Sequence, residues 1–204
     1  MADDEDRYPN MAALFAAACQ DRDYRVHRRA ASSEVTIVAP HGGCIEPGTF
    51  ELADAIAARA YKFYCFEAMA DGLHVTSHHF DDPACLALVE ASDHVITVHG
   101  CQDSDAVAAP DMTLSIGGRD QALGGLIRQE IEASGFAIGH RPELAGVHPL
   151  NICNRGRRGM GVQLELTRSL RDRLMETRTH AEGAFARLVT AIDRAIQRQV
   201  TQAG

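Results

Sequence analysis

Residues 41–49 read HGGCIEPGT and follow directly on SSEVTIVAP, a short apolar run that reads as a buried strand. A tight turn after a strand uses glycines, which reach backbone conformations other residues resist. It needs neither His41 nor Glu46. An imidazole and a carboxylate at a strand end are groups that ligate a metal or move a proton. HVITVHG repeats the pattern, a buried strand ending in His99, and GVQLELT carries Glu165 between Leu164 and Leu166. In an open α/β sheet, ligands gather at the carboxyl ends of the strands. If these three ends lie side by side, two imidazoles and one carboxylate converge. That is the ligand set of a catalytic zinc site with its fourth position left for water, and a separate glutamate would then serve as general base, as metal-assisted hydrolysis requires.

Each piece has a plainer reading. His41, after Pro40, also reads as a turn histidine. Glu46 also reads as a charge favouring the N-terminus of the next helix. His99 also reads as a hydrogen-bonded core histidine. Glu165 resists such a reading more, because on a strand it points away from both flanking leucines, and buried carboxylates are rare unless paired or functional.

The elements that must position these groups alternate along the chain. Residues 9–20 read as a helix and 35–39 as a strand. A helix from Pro47 shows an apolar face at Leu52, Ile56 and Ala60. YKFYCFEA and LHVTS read as two short strands parted by a turn at 70–72. DDPACLALVEAS is a helix with an Asp cap and a first-turn proline. HVITVHG and MTLSIGG are strands, RDQALGGLIRQEIEASG is a helix stopped by Gly135, and GVQLELT is a strand. The chain from about Arg168 onward is helical. Between 139 and 159 lies a long loop rich in Gly, Pro, His and Arg, and loops of that length inside a compact domain are usually functional or mobile. This alternation predicts a single α/β domain over 1–204 with helices on both faces of the sheet.

With 204 residues, 46% hydrophobic and 24% charged, the chain can bury a full core. Its formal net charge of −8 argues against a nucleic-acid backbone or an anionic membrane as main partner. MADDEDRYPN lacks the basic and apolar regions of a signal peptide, and no stretch suits a membrane span, so a cytoplasmic location is expected. The six cysteines are scattered without C-x-x-C and read as reduced thiols. Cys44 and Cys101 flank the candidate ligands and are read as packing residues.

The blocks HGGCIEPGT, FYCFEA with LHVTS, ITVHGC, SIGGRD and NICNRGRRGMGVQLELT resemble, in order, the phage-type poly-γ-glutamate hydrolase family, whose bacterial members are often labelled phage-related replication proteins. The resemblance runs from about Val35 to Arg171. It implies a zinc-dependent metallopeptidase with a three-layer sandwich around a mixed central sheet, related in fold to the zinc carboxypeptidases. It assigns His41, Glu46 and His99 as ligands of one Zn²⁺ per chain, and Glu165 as the carboxylate that activates the attacking water. Four residues separate His41 from Glu46, where carboxypeptidases have two, and this longer spacing fits the poly-γ-glutamate hydrolase branch.

The implied substrate is an anionic γ-glutamyl polymer or peptide with a free carboxylate on every unit, which calls for cations in the cleft. Arg119, Arg155, Arg157, Arg158 and Arg168 lie in the long loop or near predicted strand ends, and arginine forks hold carboxylates in bidentate fashion. Arg155 beside Asn154, and Arg119 after the double glycine, are the first candidates for substrate binding. The run RGRR does not read as a nucleic-acid site, since aromatics do not interleave it. Of the other histidines, His78 and His79 would face opposite ways on a strand, His140 and His148 can line the cleft, and His74 has no evident partner. A monomer is expected. Competing readings are a zinc amidohydrolase acting on an N-acyl amino acid such as formylglutamate or on a cell-wall γ-glutamyl peptide, a phage-related replication or binding protein without hydrolase activity, and an inactive member that keeps the fold.

Overall fold

A computed structural model of the chain describes residues 6–103 and 112–203. Among these, seven strands form one mixed sheet in the order β1-β3-β2-β4-β7-β5-β6: β1 (Tyr24–Arg29), β2 (Val35–Gly43), β3 (Lys62–Ala68), β4 (His94–Cys101), β5 (Thr113–Gly118), β6 (Ala137–Ile138) and β7 (Val162–Thr167). The strands β3, β2, β4 and β7 run parallel, while β1 pairs antiparallel with β3 and β5 antiparallel with β7.

Alternation along the central strands builds two cores. Ile37, Ala39, Ile96, Val98, Leu164 and Leu166 face one side. There they meet α2 (Thr49–Ala57), α4 (Gln121–Ala133), α5 (Arg168–Glu176) and α6 (Ala184–Ala203) through Leu52, Ile127, Leu170 and Leu188. Val38, Tyr64, Phe66 and Val95 face the other side, against α1 (Met11–Ala17) and α3 (Pro83–Val89). The expected three-layer α/β sandwich with a mixed sheet is the architecture found. Among the described residues no helix is long and apolar enough to cross a membrane.

Several elements differ from the sequence reading. LHVTS is not a strand. Both edges of β3 are already taken by β1 and β2, so Leu73 and Val75 are buried over the second face without entering the sheet. The strand β1, YRVHRR, does not stand out in the sequence, because its arginines hide a partly apolar edge strand. Ala60 lies exposed beyond the end of α2. The helical C-terminal region is two helices, α5 and α6, separated by 177–183. The long loop is partly ordered by two 3-10 turns, Pro142–Leu144 and Ile152–Arg155.

Asp120 ties this loop to the sheet. It is almost fully buried, caps α4 by accepting from the Leu123 amide, and accepts from Arg158 Nη1 at 2.7 Å. Asp120→Ala removes the cap and takes from the Arg158 guanidinium its carboxylate partner, leaving Nη1, among the described residues, only its contact with His94 Nδ1. A loss of about 1–3 kcal/mol is expected, read as a lower urea midpoint at an unchanged slope. An unchanged midpoint would mean that water replaces both contacts.

Candidate active site

The carboxyl ends of β2, β4 and β7 lie next to one another, since β4 pairs with both of the others. His99 stands opposite Glu165 in the β4–β7 register. Both belong to the face that carries Val95 and Gln163, opposite to Val98 and Leu164. Strict alternation from Ile37 and Ala39 would send His41 to the face covered by α2, α4, α5 and α6. The register of β2 against β3 shifts between Ala39 and Gly42, and such an irregularity re-aims a side chain. His41 therefore joins His99, packing edge-on to Phe80 and donating from Nε2 to the Val75 carbonyl at 2.9 Å. A carbonyl only accepts, so this Nε2 carries the hydrogen.

The glycines explain the rest of HGGCIE. A Cβ on Gly42 would meet Cys65 Sγ at 2.6 Å, and one on Gly43, at φ +72°, would meet the Ala68 carbonyl oxygen at 2.1 Å. The chain then turns back, with the Glu46 amide donating to the His41 carbonyl at 3.0 Å. This returns the Glu46 carboxylate to His41 Nδ1 at 3.0 Å, while its other oxygen accepts from the Gly100 amide at 2.8 Å.

His41 Nδ1 lies 3.2 Å from His99 Nδ1, and His99 Nδ1 lies 3.8 Å from Glu46 Oε2. His41, Glu46 and His99 each offer one ligand atom, all within 4.8 Å of one another. Tetrahedral zinc with bonds of about 2.0–2.1 Å sets its ligand atoms about 3.3 Å apart. The chemistry of the donor set and its spacing thus fit zinc. With His41 Nε2 held by Val75, Nδ1 is the nitrogen turned toward Glu46 and His99 and the one that could ligate a metal, as in metal sites whose imidazoles donate their other N–H to a carbonyl. The Nε2 atom of His99 is buried without a hydrogen-bond partner among the described residues.

Electrostatics follow from this packing. Burial alone would raise Glu46, but the charge and hydrogen bond of His41, with His99, overcome it and hold the carboxylate well below the usual range. Burial would lower His41, and Glu46 reverses the shift to raise it. A proton on His41 Nδ1 thus sits where a divalent cation would, and metal binding would release it. Glu165 is 5% exposed and accepts from Gln163 Nε2 at 2.9 Å. Burial pushes its carboxyl up to about 7, against the pull of His99.

These groups line the floor of a cleft of about 570 Å³. One wall is His74, Thr76, Ser77 and His78, and the other is the 142–148 segment, including His148. His74, without an evident partner in the sequence, bonds to Asp6 at 2.7 Å and lies 4.3 Å from the His41 ring. Among the described residues no arginine or lysine lines the cleft.

Arg119, Asn154 and Arg155 are outside that lining. Arg119 is exposed, and its backbone amide donates to Asn154 Oδ1. Asn154 spends its side-chain amide on the Gly146 and His148 carbonyls and accepts from the Gly161 amide, so it anchors the long loop. Arg155 pairs with Glu90, Arg157 with Glu34 and Asp93, and Arg168 with Asp172. The six cysteines are free, and burial raises the Cys101 thiol to about 11 and raises Cys44, so neither is a thiolate near neutrality.

Residues 8–194 match the family described as poly-gamma-glutamate hydrolase. The chain belongs to that family. The match extends beyond the Val35–Arg171 resemblance at both ends. Among curated proteins, UPF0714 protein YndL of Bacillus subtilis (strain 168) is 32% identical over 177 residues, covering 83% of this chain and 67% of YndL. The chain spans about two thirds of the length of the curated relatives it matches. A solved bacteriophage poly-gamma-glutamate hydrolase superposes with a TM-score of 0.86 at 25% identity, covering 96% of this chain and 98% of that one. A zinc-free apo YndL structure gives 0.82 at 28% identity, with 96% and 99% covered.

Proposed function

We propose that the chain is a zinc-dependent hydrolase of γ-glutamyl amide bonds, with His41, Glu46 and His99 holding one Zn²⁺ and Glu165 acting as general base. The observation that carries this reading is the meeting of three ligand atoms beside a buried, proton-accepting carboxylate at the floor of an open cleft. Family membership and the zinc-free state of a relative's structure support it.

When bound, the ion supplies Lewis-acid polarisation of the amide carbonyl and lowers the pKa of a water to about 7. Glu165 takes the proton of the attacking water and returns it to the leaving amine. Gln163 fixes the carboxylate by its bond to Oε1. The Gly100 amide and His41 orient Glu46, and the Val75 carbonyl sets the His41 tautomer.

With no arginine or lysine among the described lining residues, the carboxylates of a polyanionic substrate would be met by the imidazoles of the walls, His78 and His148, whose rings lie 5.1 Å apart. The cleft opens past exposed Val147 and His148, which suits a polymer better than a small N-acyl amino acid. The same proposal takes 1–204 as one domain acting as a monomer.

The test is incubation of zinc-loaded and chelated protein with poly-γ-glutamate, with α-linked poly-glutamate as control, and product length read by size exclusion. Shortening of the γ-linked polymer that stops on chelation is expected. No shortening of either polymer by the zinc-loaded protein would overturn the substrate reading. In the His78→Ala/His148→Ala variant, loss of a charge-assisted contact should raise KM about 10-fold with kcat little changed. An unchanged KM would remove these imidazoles from substrate binding.

A further inference from the structure

Arg171 sits in the first turn of α5, yet it is 4% exposed. None of its hydrogen bonds among the described residues goes to a carboxylate. They go to three backbone carbonyls: Nη1 to Pro47 at 2.7 Å, Nη2 to Cys101 at 3.3 Å and Nε to Leu166 at 3.3 Å. Each acceptor adjoins a different part of the site. Pro47 follows Glu46, Cys101 is two residues past His99, and Leu166 follows Glu165. A Cβ on Gly100 would lie 2.5 Å from both Cζ and Nε of Arg171, so the guanidinium rests against the peptide between His99 and Cys101. The Gly100 amide on that stretch donates to Glu46.

Packing alone does not explain this residue. Its neighbours Leu170 and Leu174 fill the core on α5, and an apolar side chain would fill the position without the cost of burying a charge. What a leucine or methionine lacks is a rigid planar fork whose donors reach several acceptors at once.

We propose that Arg171 is a positioning residue, clamping the three segments that carry Glu46, His99 and Glu165 and so setting the affinity of the site for zinc. This rests on the reading of His41, Glu46 and His99 as the zinc ligands. Outer-shell contacts that orient metal ligands are typically worth about 10–100-fold in metal affinity, and Arg171 serves two ligand segments together.

The experiment is zinc titration of the metal-free full chain against a competing chelator, for the wild type, Arg171→Lys, Arg171→Met, Gly100→Ala and Tyr61→Phe. Tyr61 bonds to Asp193 and Gln197, away from the cleft, so Tyr61→Phe is a control for lost stability alone. Arg171→Met is expected to bind zinc about 10–100-fold more weakly, with Arg171→Lys in between and Tyr61→Phe at the wild-type value. Should Arg171→Met not fold, Arg171→Lys and Gly100→Ala carry the test, the alanine pressing the guanidinium out of place from the opposite side. Wild-type affinity in every folded Arg171 and Gly100 variant overturns the clamp and leaves the zinc site standing. A wild type that takes up no zinc overturns both.

Discussion

Glu165→Gln is expected to keep zinc at the wild-type stoichiometry and to lose about 10²–10⁴-fold in kcat, the usual worth of a positioned general base. The amide keeps the shape and can still bond to Gln163, but it cannot accept a proton. Glu165 is not within the three-membered ligand set, so metal content should not follow activity. The pH profile sharpens the expectation. Burial holds the carboxyl up to about 7 in the metal-free protein, and the base works only when ionised. A cation at His41, Glu46 and His99 favours ionisation. The acid limb of kcat/KM should therefore fall as pH drops, with its midpoint at or below about 7, and should vanish from the residual activity of Glu165→Gln. Metal content that collapses in this variant would make Glu165 a ligand instead of a base. Unchanged kcat would end its catalytic role.

His99→Ala should abolish stoichiometric zinc binding, because it leaves a two-residue donor set of His41 and Glu46. The loss should also appear in stability. A ligand present at a thousand times its Kd stabilises the folded state by about 4 kcal/mol, which for a chain of this size moves Tm by about 8–16 °C. Chelator should thus lower the wild-type Tm by that order and leave the His99→Ala Tm where it is. The variant also loses the Nδ1 contacts of His99 to His41 and Glu46, so its own change in stability is read by comparing the two metal-free proteins, and the metal's share by the response to chelator. A wild-type Tm indifferent to both zinc and chelator would count against a tightly held metal.

The family is legible in the sequence, and so are the layered fold and the residue types at the ends of β2, β4 and β7. Short β-branched runs ending in His-Gly, and a glutamate flanked by leucines, are local patterns with local causes: strand alternation, turn glycines and the cost of burying charge. LHVTS shows where such patterns stop. Its composition suits a strand, but a strand needs a free sheet edge, and β3 has none to offer.

By itself, then, the sequence determined the α/β class, the family and the candidate donors His41, Glu46, His99 and Glu165. Only the tertiary structure decided which way those donors point and what surrounds them. The shift in β2 that turns His41 toward His99 is a property of pairing with β3. Arg155 and Arg119 looked suited to a carboxylate, but the chain carries them away from the cleft and brings His78 and His148 to it. Arg171 reads in the sequence as one more helix arginine, while its contacts reach residues 124 and 70 positions away. Residue type follows from local chemistry, whereas orientation and partnership depend on which distant segments the sheet order brings together.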